Sequence, residues 1–248
     1  MHDIRVPDDE DAPLFNLFWQ NSQLNDAQGQ LMAERIGIDS ALPYVAARPR
    51  FAQATTPLAP PTNPSAATWS RRRSERDFST TAITTQQLSE LCWPFAARAD
   101  GTRHSASGGA KYPILLYAAL LHVAGAPALQ NKLAWYDPQA HGFTPFAACP
   151  SWQVLAKALS VEWTTPPSVV FFITARSKGS LAKYGERGGR FILLEAGSYM
   201  GALGYEVARL NLNGVAVGSM RDATVADLLQ LDSQIQMPVL AYACGGER

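Results

Sequence analysis

Apolar positions recur at roughly helical spacing between residues 12 and 37, where Leu14, Phe15, Leu17 and Phe18 precede Leu24, Leu31, Met32 and Ile36. Mostly polar residues lie between them, and the pattern predicts one or two helices. It then breaks. From Ala52 to Thr68 the run AQATTPLAPPTNPSAAT holds four prolines and almost no charge, which predicts an extended strap rather than a regular element. Past Phe78, Thr84 or Thr85 can cap a helix carrying Leu88, Leu91, Cys92 and Phe95 on one face. Pro113 opens ILLYAALLHVAG, a continuous apolar run that suits a buried strand. Further strands are predicted at 133–136, 168–175, 215–217 and 239–244, and helices at 152–159, 189–212 and 225–231. Their order is irregular, with no βαβ repeat, so the expected class is α+β. Two parts are expected: an N-terminal helical segment with its proline-rich strap over 1–68, and a compact domain over 69–248.

The 189–212 segment is unusual because Ala196, Gly197, Gly201 and Gly204 interrupt an apolar surface. Each mid-helix glycine costs about 1 kcal/mol against alanine unless packing uses it. The segment reads either as a plain core helix or as a central helix at a subunit interface, where another backbone approaches closely.

Composition narrows the function. A chain of 248 residues with 47% hydrophobic and 17% charged residues can bury a sizeable core. Lys+Arg and Asp+Glu both number 21, so no net field would hold it on nucleic acid or an anionic membrane. The acidic start MHDIRVPDDEDAPLF lacks the basic and apolar blocks of a secretory signal, so a cytoplasmic location is expected. Cys92, Cys149 and Cys244 are far apart and form no CxxC pair, which predicts reduced thiols rather than a disulfide framework or zinc knuckle. No uninterrupted apolar run reaches membrane length. The chain has no GxxxxGK[ST] loop, GxSxG elbow or HExxH helix, and its four histidines are isolated, so no metal site is expected.

Three segments remain as candidate chemistry. Ser70 to Phe78, SRRRSERDF, sets four arginines around the Ser74 hydroxyl. Guanidinium forks match a phosphate monoester, although a basic run can equally be a solvated face. His104 to Pro113, HSASGGAKYP, carries little side-chain bulk ahead of a buried strand, as a turn or a loop approaching a flat ligand would. Leu181 to Arg190, LAKYGERGGR, presents Lys183 and Tyr184 on a polar connection.

Taken in order, RRSxRxF, SGGAxYP, KYGxRxxRFxLLEAG and a closing LLxLD resemble the nitroreductase-like flavoproteins, specifically the SagB/McbC-type azoline dehydrogenases of thiazole- and oxazole-modified peptide biosynthesis. The resemblance runs from about Trp69 to the C-terminus. It implies a central mixed or antiparallel sheet flanked by helices, and a homodimer with FMN at its interface. It further implies that Arg72, Arg73 and Ser74 bind the FMN phosphate, with a further contact from Arg248, while Arg76 lies near the N1/O2 edge of the ring. Ser107, Gly108, Gly109 and Ala110 would line the cofactor from the second subunit, and Gly218 and Ser219 would face the ring through their backbone. Lys183 and Tyr184 would be catalytic, Lys183 as a base made partly neutral by burial and by Arg187 and Arg190. The implied partners are a precursor peptide and the cyclodehydratase subunits of a synthetase, with O2 as final acceptor. A general NAD(P)H-dependent nitroreductase and a non-catalytic docking subunit are the competing readings.

Overall fold

A computed structural model describes residues 12–42 and 56–247. The expected strap residues 52–55 and the proposed phosphate ligand Arg248 lie outside this range.

The N-terminal periodicity resolves into two helices, α1 (Pro13–Ser22) and α2 (Asp26–Ser40). Asn25 caps α2 by accepting a hydrogen bond from the Gln28 N–H. The strap expectation fails at its C-terminal end. Residues 56–62 carry no helix or strand, but Pro64–Arg71 forms helix α3, capped by the Asn63 side chain. Pro64 sits in its first turn, where the missing N–H costs nothing, so the proline starts a helix instead of preventing one.

Strand β1 (Ile83–Thr84) leads into α4 (Thr85–Cys92), which Thr84 and Gln87 close with a reciprocal capping box. Strand β2 (Ile114–Leu120) follows the apolar run predicted for it, and a short β3 (Val123–Ala124) pairs with β1. Next come β4 (Lys132–Asp137), β5 (Gly142–Ala148), α5 (Trp152–Leu159) and β6 (Val169–Ala175). Helices α6 (Lys178–Tyr184) and α7 (Glu186–Arg209) precede β7 (Leu212–Val217), α8 (Asp222–Leu228) and β8 (Met237–Gly246).

Six strands make one sheet in the order β5-β4-β2-β6-β8-β7, antiparallel at every pairing. With its flanking helices this is the expected α+β class, its sheet antiparallel throughout. All seven residues of the central strand β6 are buried, because both sheet faces are covered. Side chains alternate between two cores as strand geometry requires. Leu116, Ala118, Phe171 and Ile173 pack with α4 and α7 through Leu91, Ile192 and Leu203. Ala119, Val170 and Phe172 pack with α5 and α8 through Leu155, Leu159 and Val225.

Both sheet edges are protected. On β5, Pro145 offers no N–H, and the register shifts between Leu133 and Ala134 so that Phe146 bulges out of the ladder. Beside β7, the extended residues after α3 lie against the strand: the Glu75 N–H donates to Gly214 O (3.0 Å) and Asn213 Nδ2 to Asp77 O (2.7 Å).

The cysteines are free, with Cys92 and Cys244 buried. Among the described residues no helix is long and apolar enough to cross a membrane, and no group of three or more metal-ligating side chains forms.

Candidate functional site

Helix α7 organises the candidate residues. At about 1.5 Å per residue its 24 residues span about 36 Å. Near its N-terminus, Phe191 packs under Gly108, where an added Cβ would meet the ring at 3.2 Å. Near its C-terminus, the buried Gly204 faces the Arg72 side chain, with Arg72 Cδ 3.8 Å from where its Cβ would stand. The two candidate segments therefore meet α7 thirteen residues, about 20 Å, apart in one chain.

Lys183 and Tyr184 occupy the last turn of α6, a helix that the sequence reading treated as a flexible polar connection. Adjacent helical residues diverge by about 100°, less than on a strand, and this lets both reach the same neighbour. That neighbour is Gly109. Lys183 Nζ donates to the Gly109 carbonyl at 3.5 Å and lies 5.3 Å from the Tyr184 ring centroid. A Cβ on Gly109 would collide with Tyr184 Oη and Lys183 Nζ, so with any larger residue these two side-chain ends would have to turn away from the loop. Tyr184 is braced edge-on by Phe191 at 4.9 Å. Lys183 is exposed, so the burial expected of it is not supplied by this chain alone.

The loop facing this pair is strained. Gly109, Ala110 and Tyr112 all have positive φ (62°, 54° and 45°), unfavourable for the two non-glycine residues. A polar framework holds it: the Tyr112 N–H donates to Ser107 Oγ (2.7 Å), and the Arg103 N–H to Tyr112 Oη (3.2 Å). Arg103 Nη1 donates to Ile114 O and to Tyr199 Oη, both at 2.9 Å.

Sequence reasoning missed this framework, and with it Glu195. This residue is 5% exposed on α7, and neither carboxylate oxygen has a hydrogen-bond partner. Burial raises its pKa above the ordinary 4.5, opposed by Ser107, Arg103 and the Ile114 N–H. The available signal was an acidic residue within the apolar run RFILLEAG. A raised native pKa means that Glu195 favours the fold most below the unfolded pKa, and that this contribution fades as pH rises through the native value. Urea melts from pH 4.5 to 7.5 should therefore show wild type losing stability against Glu195→Gln as pH rises. Parallel profiles would contradict the assignment.

The arginine segment is extended from Arg72 to Phe78 and its side chains diverge. Arg71 and Arg73 line a cleft of about 350 Å³ with Ser70, Asn211 and Asn213, and the carboxylates Glu75 and Glu247 border it. Ser74 and Arg76 line a neighbouring cleft with Trp163, and Arg76 Nη1 donates to the Ser74 carbonyl (3.4 Å). Arg72 turns toward α7 and lies near enough to Tyr242 to oppose the rise that burial gives its phenol pKa. Gly218 is exposed with open space at its Cβ position, while Ser219 Oγ donates to Leu159 O (2.9 Å).

The middle of α7 is apolar and open. Leu194 is 69% exposed, Leu193 and Met200 are more than one-third exposed, and nothing lies within 4 Å of a Cβ placed on Gly197 or Gly201.

The sequence model of the nitroreductase family matches residues 70–246. A nitroreductase-family protein of Methanocaldococcus jannaschii is 25% identical over 174 residues, covering 68% of this chain and 86% of the relative. A chain of the E. coli microcin synthetase McbBCD complex, solved with truncated pro-MccB17 bound, superposes with a TM-score of 0.62 at 20% identity, covering 90% of this chain and 95% of that one. An FMN-bound nitroreductase-family structure from Desulfovibrio desulfuricans superposes with a TM-score of 0.51 at 17% identity, covering 76% and 91%.

Proposed function

The chain belongs to the nitroreductase family of oxidoreductases, and from that premise we propose that it is an FMN-dependent dehydrogenase oxidising thiazoline or oxazoline rings of a ribosomal precursor peptide to azoles. The observation that carries the reading is the Lys183–Tyr184 pair at the end of α6, set against the Gly109 carbonyl. Ring oxidation removes a hydride and a proton, and an amine beside a close-approach loop is the group needed to take the proton. The fold likeness to a chain of the microcin synthetase complex favours a peptide substrate and cyclodehydratase partners.

The residues present fit the cofactor when two copies of the chain are considered. Gly197 lies midway between positions 191 and 204, on the open apolar face of α7. A two-fold axis there would bring the Arg72 end of one chain to the Gly108 end of its partner. Arg72, Arg73 and Ser74 would hold the phosphate, Arg73 from the cleft it shares with Arg71 and the other two by turning in from the α7 side and the neighbouring cleft. Arg76 would supply positive charge at the reducible edge, and Ser107 to Ala110 with Gly218 and Ser219 would pack along the ring system. When bound, FMN supplies the hydride acceptor, with O2 as the final oxidant. Lys183 holds the departing proton, Tyr184 orients the azoline ring, and the second chain with the bound peptide excludes water from the otherwise exposed Lys183.

A purified sample should be yellow, and a thiazoline-containing peptide should lose the mass of two hydrogens in air. Rapid bleaching by NADPH with nitroarene turnover, and no azole, would support a general nitroreductase instead. A colourless protein that co-purifies with synthetase subunits would support a docking role.

A further inference from the structure

Helix α1 precedes residues 70–246, so it lies outside the part of the chain that the family model matches. It is nevertheless fixed at both ends to positions close in sequence to candidate site residues. At its start, the Glu186 carboxylate accepts the Leu14 and Phe15 N–H groups (2.8 and 2.7 Å). Phe15 fills the space left at Gly189, where a Cβ would sit 2.2 Å from its ring. Glu186 is two positions beyond Tyr184. At the other end, the Leu24 N–H donates to Asp222 Oδ2 (2.8 Å), and Asp26 pairs with Arg221. Asp222 is three positions beyond Ser219.

Between these ties α1 walls a cleft of about 390 Å³, a size typical of small-molecule sites. Among the described residues five carboxamides line it: Asn16 and Gln20 from α1 and Gln23 just past its end, with Gln234 and Gln236 opposite. Gln236 is 5% exposed and its amide is fixed, donating to Thr174 Oγ1 (2.6 Å) and Tyr117 Oη (3.3 Å) and accepting from Arg176 Nε (3.4 Å). Among the described residues neither lysine nor arginine lines the cleft, and the one carboxylate there, Asp222, is engaged by Leu24. Such a lining does not suit phosphate or a nicotinamide dinucleotide. The Gln236 N–H groups are both spent inside the protein, whereas Gln20, Gln23 and Gln234 each carry a donor and an acceptor, matching the alternating N–H and C=O groups of an extended peptide.

We propose that the cleft beneath α1 is a subsite for the extended main chain flanking the reacting ring of the substrate peptide. The proposal rests on the azoline-oxidising reading above and adds where the peptide lies. Ser177, at the start of the turn into α6, also lines the cleft, so a chain seated there leads toward the helix that ends in Lys183 and Tyr184. The wall is fixed before the peptide arrives, which lowers the ordering cost of binding.

The test uses the FMN-loaded protein, a thiazoline capped as N-acetyl and C-amide, and the same ring flanked by three glycines on each side. Wild type should show a KM for the flanked ring about tenfold lower than for the capped ring, on the order of one or two net hydrogen bonds. The double variant Gln20→Ala, Gln23→Ala, at two exposed positions, should lose that tenfold preference at unchanged kcat. Anisotropy of a fluorescein-labelled glycine-serine heptapeptide should show the same loss of affinity without any turnover. A length preference that survives in the variant, or is absent from wild type while the capped ring is oxidised, overturns the subsite and leaves the activity standing. If neither ring is oxidised but the labelled peptide binds and the variant weakens it, the subsite stands and the azoline reading fails.

Discussion

Lys183→Ala is expected to leave a yellow, fully FMN-loaded protein that forms azoles about 10²- to 10⁴-fold more slowly, the usual contribution of a positioned acid or base. The lysine is exposed and meets Gly109 O at 3.5 Å and the Tyr184 face, so removing it takes no side chain out of the core. Thermal stability should stay close to wild type. Single-turnover product formation followed by mass spectrometry measures the chemical step separately from peptide binding. A short alkylamine added to the variant should restore part of the rate, because the missing function is a proton acceptor. Undiminished turnover would remove Lys183 from the mechanism while leaving the flavoprotein assignment intact.

Gly109→Val should have an effect of comparable size by a different route. A side chain at this position collides with Tyr184 Oη and Lys183 Nζ and also requires β-branched bulk at φ 62°. The two side-chain ends are then pushed out of place, and activity should fall at least about 10²-fold, as misplacement of reacting groups by an ångström can cause. Stability should fall by about 1–3 kcal/mol. Gly101→Ala separates the two causes. Gly101 also has positive φ, 81°, but nothing lies within 4 Å of its Cβ position. That variant should lose about 1 kcal/mol from backbone strain and keep its rate. Equal losses of rate in the two variants would place the cause in general destabilisation rather than in contact with Lys183 and Tyr184.

The sequence made some elements legible because a single strong signal decided them. Trp152–Leu159 was predicted to the residue, since its apolar stripe begins after Pro150 and Ser151. Strand β6 was predicted to within one residue, because a strand covered on both faces is continuously apolar. Other elements carried conflicting signals. Strand β5 escaped notice because GFTPFAA contains a proline and half-exposed positions, both of which an edge strand tolerates. Helix α3 was hidden by the proline that begins it, and α6 by its seven short and polar residues. The candidate site divides the same way. Lys183, Tyr184 and the glycine loop stood out as motifs, whereas Arg103 and Tyr199, with the buried Glu195 near them, form a framework joining residues up to 96 positions apart. No local pattern announces such a framework.

The guarded sheet edges limit how copies of this chain can associate. Pro145 and the bulge at Phe146 deny a partner strand the ladder on one flank, and the extended residues 75–77 occupy the other. Strand-by-strand growth into a filament is thereby closed off. The two-copy arrangement proposed above would then have to use a helix face, the open middle of α7, rather than a sheet edge.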